Sequence, residues 1–290
     1  MNARREIPLV YFDTNVFDNL VKRSGGLGEA DELDLRTAVS SERLILVASH
    51  TTVRETLAAL ESRPEIARAQ LSLIAGMIDW DRFIRFSTQI LEDDIRHFAF
   101  NGERANSVFE REQQAAGIRS VVQSVVDGRK GIKEYEAAMH EDREFKRGFR
   151  RGIKEARAET EAAVEEFRKA GAIPAFERWF EDGWEEYLRF FVRSYDVAES
   201  CERRGLNNLF KIPSVRAMVG LGMSTIYRTA VEGKVLKSSA SRDLQHGVCA
   251  AAAADIFVTH DDELAFLLGR AGIKGLRVMS LRELLDRSHD

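Results

Sequence analysis

Three short apolar runs constrain this chain most: Ile7–Phe12 (IPLVYF), Arg43–Ala48 (RLILVA) and Ile256–Thr259 (IFVT). None of them alternates apolar with polar residues. Runs of this kind suit parallel strands covered on both faces, because a half-exposed strand would show a period of two. Leu276–Met279 (LRVM) is a fourth candidate. A helical pattern follows each of the first three, at Val16–Lys22, Thr52–Glu61 and Glu263–Arg270. The alternation predicts an α/β fold around a central parallel sheet.

Between Pro64 and about Val235 the strand signals vanish. Apolar residues recur there at helical spacing, as at Phe176, Phe180, Tyr187, Phe190 and Phe191. Only Pro8, Pro64, Pro174 and Pro213 interrupt the chain, so long helices are permitted. The expected organisation is one α/β domain in two sequence halves, 1–62 and 235–290. A mainly helical insertion, 63–234, separates them and packs in part on that domain. Arg189–Tyr195 and Val215–Tyr227 are expected as helices leading back to the sheet.

With 44% hydrophobic and 31% charged residues, the chain is too apolar for a disordered segment and too charged for a membrane protein. Its longest apolar stretch, Gly247–Val258, is broken by Asp255 and falls short of the ~18–20 residues of a membrane span. Met1–Arg5 precedes no apolar signal core. Cys201 and Cys249 are the only cysteines and form no C-x-x-C pair. The expectation is a cytoplasmic protein with no membrane partner, no disulfide and no cysteine zinc site. A formal net charge of -4 argues against an indiscriminate polyanion binder.

Four acids stand where strands end or the following helices begin. Asp13 follows the first run directly, Glu55 lies in the helix after the second, Asp243 opens an alanine-rich helix, and Asp261 follows the third. Open parallel sheets bind ligands beyond the carboxyl ends of their strands. Four carboxylates gathered there would repel and shift one another's pKa. A divalent cation removes that conflict, and oxygen ligands suit Mg²⁺ or Mn²⁺. Such ions activate water and stabilise charge during phosphodiester hydrolysis. Each acid also has a capping explanation. Asp13 and Asp261 precede helices, Thr52-x-x-Glu55 has the form of a capping box, and Asp243 sits in a first turn. Capping alone does not gather the acids at one edge, nor does it explain Asn15 and Thr259 beside them.

These stretches resemble the PIN-domain nucleases. The matching elements are Phe12-Asp13-Thr14-Asn15-Val16, Ser49-x-x-x-Val53-x-Glu55, Asp243 with Ala251–Ala254 behind it, and Asp255-Ile-Phe-Val-Thr259-His-Asp261. In that family a strand ends in Asp, then Thr or Ser, then Asn or Ser. A Glu follows on a helix, a third Asp opens a later helix, and a fourth acid follows a strand ending in Thr. The likeness covers roughly 6–62 and 235–285. It implies a PIN-like α/β/α fold and a metal-dependent nuclease, an endoribonuclease, acting on RNA. Carried over, Asp13, Glu55, Asp243 and Asp261 become the catalytic acids that hold Mg²⁺ or Mn²⁺. Asn15 orients Asp13 or a metal-bound water, Thr259 supports the cluster, and Asp262 is an auxiliary ligand. Asp255 precedes its strand and belongs at the opposite end. Compact toxin members of the family are much shorter, so the insertion is a departure. An antitoxin or other protein partner, and a homodimer, stay open.

Arg143, Lys146, Arg147, Arg150, Arg151, Lys154 and Arg157 form a basic cluster. On a helix Arg143, Arg147, Arg150, Lys154 and Arg157 share a face, which either tracks a nucleic-acid backbone or pairs with Glu141, Glu144 and Glu155 in solvent. His246 lies three residues after Asp243 on the same helix face. It either touches the scissile phosphate or tunes the site or, as the ordinary expectation, packs at the helix surface. Phe176, Trp179, Phe180, Trp184, Tyr187, Phe190 and Phe191 either stack bases or, at this spacing, form core. Lys211, Arg216, Arg228, Lys234 and Lys237 precede Asp243 and offer weak phosphate contacts. Two rival readings remain. One is a haloacid-dehalogenase-type phosphatase, with Asp13 as nucleophile, Lys234 as its lysine and Asp261-Asp262 as metal acids. That chemistry wants an acid where Asn15 stands, and it gives Glu55 no role. The other is an inactive RNA- or protein-binding scaffold.

Overall fold

The computed structural model describes residues 7–129, 173–237 and 239–288, with short pieces between 147 and 169. The chain runs β1 (Leu9–Phe12), α1 (Thr14–Lys22), α2 (Glu29–Ser40), β2 (Ile45–Val47), α3 (His50–Ala58), α4 (Pro64–Met77), α5 (Ser87–Asn101) and α6 (Glu112–Val126). It continues through α7 (Phe176–Arg193), α8 (Ala198–Arg204), α9 (Leu206–Leu209), α10 (Pro213–Ala230) and α11 (Ala240–Ala253). It closes with β3 (Ile256–Val258), α12 (Asp262–Ala271), β4 (Arg277–Met279) and α13 (Leu281–Ser288).

The fold is mixed α/β and mostly helical. The four expected runs are all strands, trimmed by a few residues, and they form one parallel sheet in the order β2-β1-β3-β4. Register places Val47, Tyr11, Phe257 and Val278 in one row across the sheet. Tyr11 and Phe257 are fully buried in the core of one face, with α5 and α7–α12. Val10, Phe12, Leu46, Ile256 and Val258 point the other way, into a core built with α1–α4, α6 and α13. Both faces being covered explains why the runs show no alternation.

Helices from 63–234 are divided between these two layers: α4 and α6 serve one core, α5 and α7–α10 the other. The aromatic run of α7 is core, as helical spacing suggested. Phe176 is buried, and Trp179, Phe180, Trp184, Tyr187 and Phe191 pack against the same cluster. Phe190 departs from this and is 68% exposed. Of the basic cluster, Arg147, Arg151 and Lys154 are helical and exposed. Arg143, Lys146, Arg150 and Arg157 lie outside the described residues. No helix among the described residues is long and apolar enough to cross a membrane.

The connections fix where a site can form. From β1 the chain moves outward to β2, returns through the helices to β3 on the other side of β1, and moves outward again to β4. The crevice past the carboxyl ends of β1 and β3 is therefore the point where the winding reverses, the favoured ligand position of such sheets.

Helix packing around α10 is close enough to require glycine. A Cβ on Gly220 would stand 2.5 Å from the Ala271 Cβ and 2.8 Å from its Cα, on the neighbouring α12. Backbone there has no room to retreat. Gly220→Ala should destabilise the protein by about 1–3 kcal/mol, the usual cost of overpacking. Gly117, exposed within α6, has nothing near the same position. Gly117→Ala should instead stabilise by about 0.5–1 kcal/mol. Urea denaturation of the two variants beside the parent checks both signs.

Candidate functional site

Asp13 leaves β1 with extended backbone at the N-cap of α1, yet its side chain makes no cap hydrogen bond. Instead Oδ2 accepts the Thr259 hydroxyl at 2.9 Å. Thr259 is steadied in turn, since its Oγ1 accepts from Asn15 Nδ2 at 3.4 Å and from the Asp261 backbone N–H at 3.0 Å. Asn15 also accepts the His260 backbone N–H at 3.2 Å, which ties the start of α1 to the loop after β3. Asn15 thus acts on Asp13 through Thr259.

Glu55 arrives on α3. That helix begins earlier than the sequence pattern indicated, because Ser49, in extended conformation, is the N-cap and accepts from the Thr52 backbone N–H. The Thr52–Glu55 capping box does not form, and Glu55 sits one turn deeper, free to face the crevice. Thr14 Oγ1 donates to Glu55 Oε2 at 2.7 Å, and Arg242 Nε lies 3.2 Å from Oε1. Oε1 is buried and accepts no hydrogen bond; its contact with Arg242 is an ion pair.

His246 on α11 joins the two acids. Its Nε2 is 3.1 Å from Glu55 Oε2 and 3.6 Å from Asp13 Oδ1. The surface-packing expectation fails, because α11 covers the sheet face that carries Tyr11 and leaves His246 only 1% exposed. The Tyr11 hydroxyl meets His246 Nδ1 at 2.6 Å and Ser49 Oγ at 2.7 Å. Asp13, Glu55 and His246 each offer one donor atom, all within 4.8 Å of one another.

The other two expected ligands stand apart from this trio. Asp243, in the first turn of α11, accepts the Ser239 hydroxyl at 3.2 Å and feels the charges of Asp13 and Asp261. It also lines an open cavity with Arg228, Lys234, Lys237 and Glu263. Asp261 takes its capping role, with Oδ1 accepting from the Glu263 and Leu264 backbone N–H groups at 2.9 and 3.1 Å. Its Oδ2 faces Lys237 Nζ at 3.5 Å. Asp262 is exposed. Asp255 is at the far end of the sheet, as expected, accepting the Leu9 backbone N–H at 2.8 Å. Lys211 and Arg216 are engaged elsewhere: Lys211 donates to Asn208, and Arg216 donates to the last carbonyls of α12.

Burial raises the Asp13 carboxyl, and the Glu55 charge adds to the effect against His246 and Thr259. Burial also lifts Asp243, with Asp13 and Asp261 adding to it, to about 6. Glu55 goes the other way. Burial opposes its charge, but His246, Arg242 and the Thr14 hydroxyl outweigh that and bring it down to about 2. Burial lowers His246, but Glu55, Asp13 and Asp243 more than compensate and raise it. Two carboxyls held up by burial, with like charge adding to it, and a donor cluster of two carboxylates and an imidazole fit a divalent cation beside Asp13 and Glu55.

Tyr11, Thr14 and Arg242 are the site residues that sequence reasoning missed. A tyrosine inside an otherwise aliphatic buried run needs a partner for its hydroxyl, and that signal was present. Arg242 carries no comparable signal. No protein-family model, curated protein or solved structure matches the chain.

The raised His246 pKa has a definite sign in stability. Its contribution is full below the unfolded value near 6.5 and fades as pH rises through the folded value. Urea unfolding of metal-free protein across pH 5–9 should show this alkaline loss. In His246→Gln that loss should shrink to the part that Asp13 and Asp243 contribute as they ionise, and an unchanged profile would refute the pairing with Glu55.

Proposed function

We propose that the chain is a PIN-like, metal-dependent ribonuclease that hydrolyses RNA phosphodiester bonds at the β1/β3 crevice. The observation that carries this reading is the convergence of Asp13 and Glu55 on one donor cluster, with Asp243 beside it. The motif order across the two sequence halves supports RNA as the substrate class.

A divalent cation, when bound, supplies Lewis-acid stabilisation of the phosphodiester and lowers the pKa of water. Asp13 and Glu55 hold it, and Thr259, Thr14 and Arg242 keep their carboxylates aimed. Asp243, in the first turn of α11 and close enough to feel the Asp13 charge, would accept a proton from the reacting water. Lys234 and Lys237, on the cavity shared with Asp243, contact the substrate backbone without reading bases.

The test is cleavage of labelled RNA with Mn²⁺, Mg²⁺ or EDTA. Cleavage should need the metal. Asp13→Asn and Glu55→Gln should each lower the rate by at least about 100-fold, the upper end of what a lost outer-shell partner costs. RNA binding without cleavage under every metal condition would favour the scaffold. Hydrolysis of a small phosphate ester through a phosphoryl-enzyme would favour the phosphatase.

A further inference from the structure

We infer that His246 is itself a ligand of the cation held by Asp13 and Glu55, so that the centre has two carboxylates and one imidazole and favours Mn²⁺ over Mg²⁺. This rests on the proposed metal site but changes its composition. The sequence suggested oxygen ligands alone.

The separations fit. Two donors about 2.1–2.2 Å from one ion, at angles between octahedral and tetrahedral, stand roughly 3.0–3.6 Å apart. His246 Nε2 is 3.1 Å from Glu55 Oε2 and 3.6 Å from Asp13 Oδ1. All three donor atoms lie within 4.8 Å of one another.

The ring is also oriented as a ligand's would be. A metal-binding imidazole commonly engages its second nitrogen with a fixed partner, which sets the tautomer and aims the first. Here that partner is Tyr11. With Nδ1–H donating to the Tyr11 oxygen at 2.6 Å, Nε2 is the nitrogen that faces the two carboxylates; in the metal-free protein it donates its proton to Glu55 Oε2, and a cation would take that proton's place. The Tyr11 hydroxyl then donates to Ser49 Oγ at 2.7 Å or Thr52 Oγ1 at 3.2 Å, and the whole chain is buried. Asp261, one of the acids expected in an all-oxygen set, spends one oxygen on the cap of α12 and turns the other to Lys237. Imidazole suits first-row transition ions better than Mg²⁺, which prefers oxygen ligands and retained water, and Mn²⁺ is the first-row ion that also suits carboxylates.

Mn²⁺ titration of the full-length protein by EPR, with pulsed EPR for nitrogen hyperfine coupling, tests this without any turnover. The wild type should bind Mn²⁺ and show coupling to one nitrogen, whose pattern changes when histidine is ¹⁵N-labelled. The chain has 6 histidines, so His246→Gln must remove the coupling. It should also weaken Mn²⁺ binding by more than about 100-fold, beyond the effect of an outer-shell change. Tyr11→Phe keeps the ring in the core and removes only the hydroxyl. It should weaken Mn²⁺ binding by about 10–100-fold while retaining the nitrogen coupling. Mg²⁺ should displace Mn²⁺ only in excess. Mn²⁺ bound to the wild type without histidine coupling would overturn the imidazole ligand and leave the carboxylate site standing. No Mn²⁺ binding at all would overturn both.

Discussion

The join between Tyr11 and His246 is the constraint on which the rest of the site depends. It crosses from the middle strand of the sheet to α11, elements 235 positions apart in sequence. A tyrosine in the buried row with Val47 and Phe257 is packed on all sides, so its hydroxyl can satisfy itself only at the end that reaches past the strand. That end meets His246, Ser49 and Thr52, which belong to α11 and the start of α3. Unpaired, each of these buried polar groups would cost roughly 1–3 kcal/mol. Together they fix the height of α11 and α3 over the sheet, and hence bring Glu55 and His246 to Asp13.

Electrostatics follows from that placement. Asp13 and Glu55 approach each other in a region withdrawn from water, and ionising both there is unfavourable unless positive charge is close. His246 and Arg242 provide it on the side of Glu55, which settles as the strong acid of the group. Asp13 and Asp243 receive less and stay raised. The net charge of -4 is therefore an average over a local excess of acid and dispersed cations. It excludes an indiscriminate basic binder but not a site for a polyanion.

Much of this was legible in the chain. Period-free apolar runs gave the parallel strands, because cover on both faces leaves that mark on composition. The acids after β1 and β3 were readable for the same reason, since a strand end fixes where its next residue goes. What was not legible depended on contacts between distant elements. His246 looked like a surface residue because local spacing says nothing about which face of α11 lies on the sheet. Which layer each helix of 63–234 joins was not legible, because an apolar helix face does not say which side of the sheet it covers. Glu55 was matched to the wrong cap because Ser49 and Thr52 are both competent caps, and the extended conformation of Ser49 decided between them.

Asp13 and Asp261 show how far the same local chemistry can diverge. Both follow a parallel strand, and both occupy the N-cap of the next helix. Asp261 accepts two backbone N–H groups and gains what a cap usually supplies, about 1 kcal/mol. Asp13 forgoes that gain. Its carboxylate is turned by Thr259 towards Glu55 and His246, although burial disfavours its charge there. Thr259 directly follows the neighbouring strand, β3, at the point where the winding of the sheet reverses, and this sets its hydroxyl beside Asp13. A cap position becomes a site when a side chain at the end of the adjacent strand competes for the acid more strongly than the helix does. Strand order decides that competition here, and the identity of the acid does not.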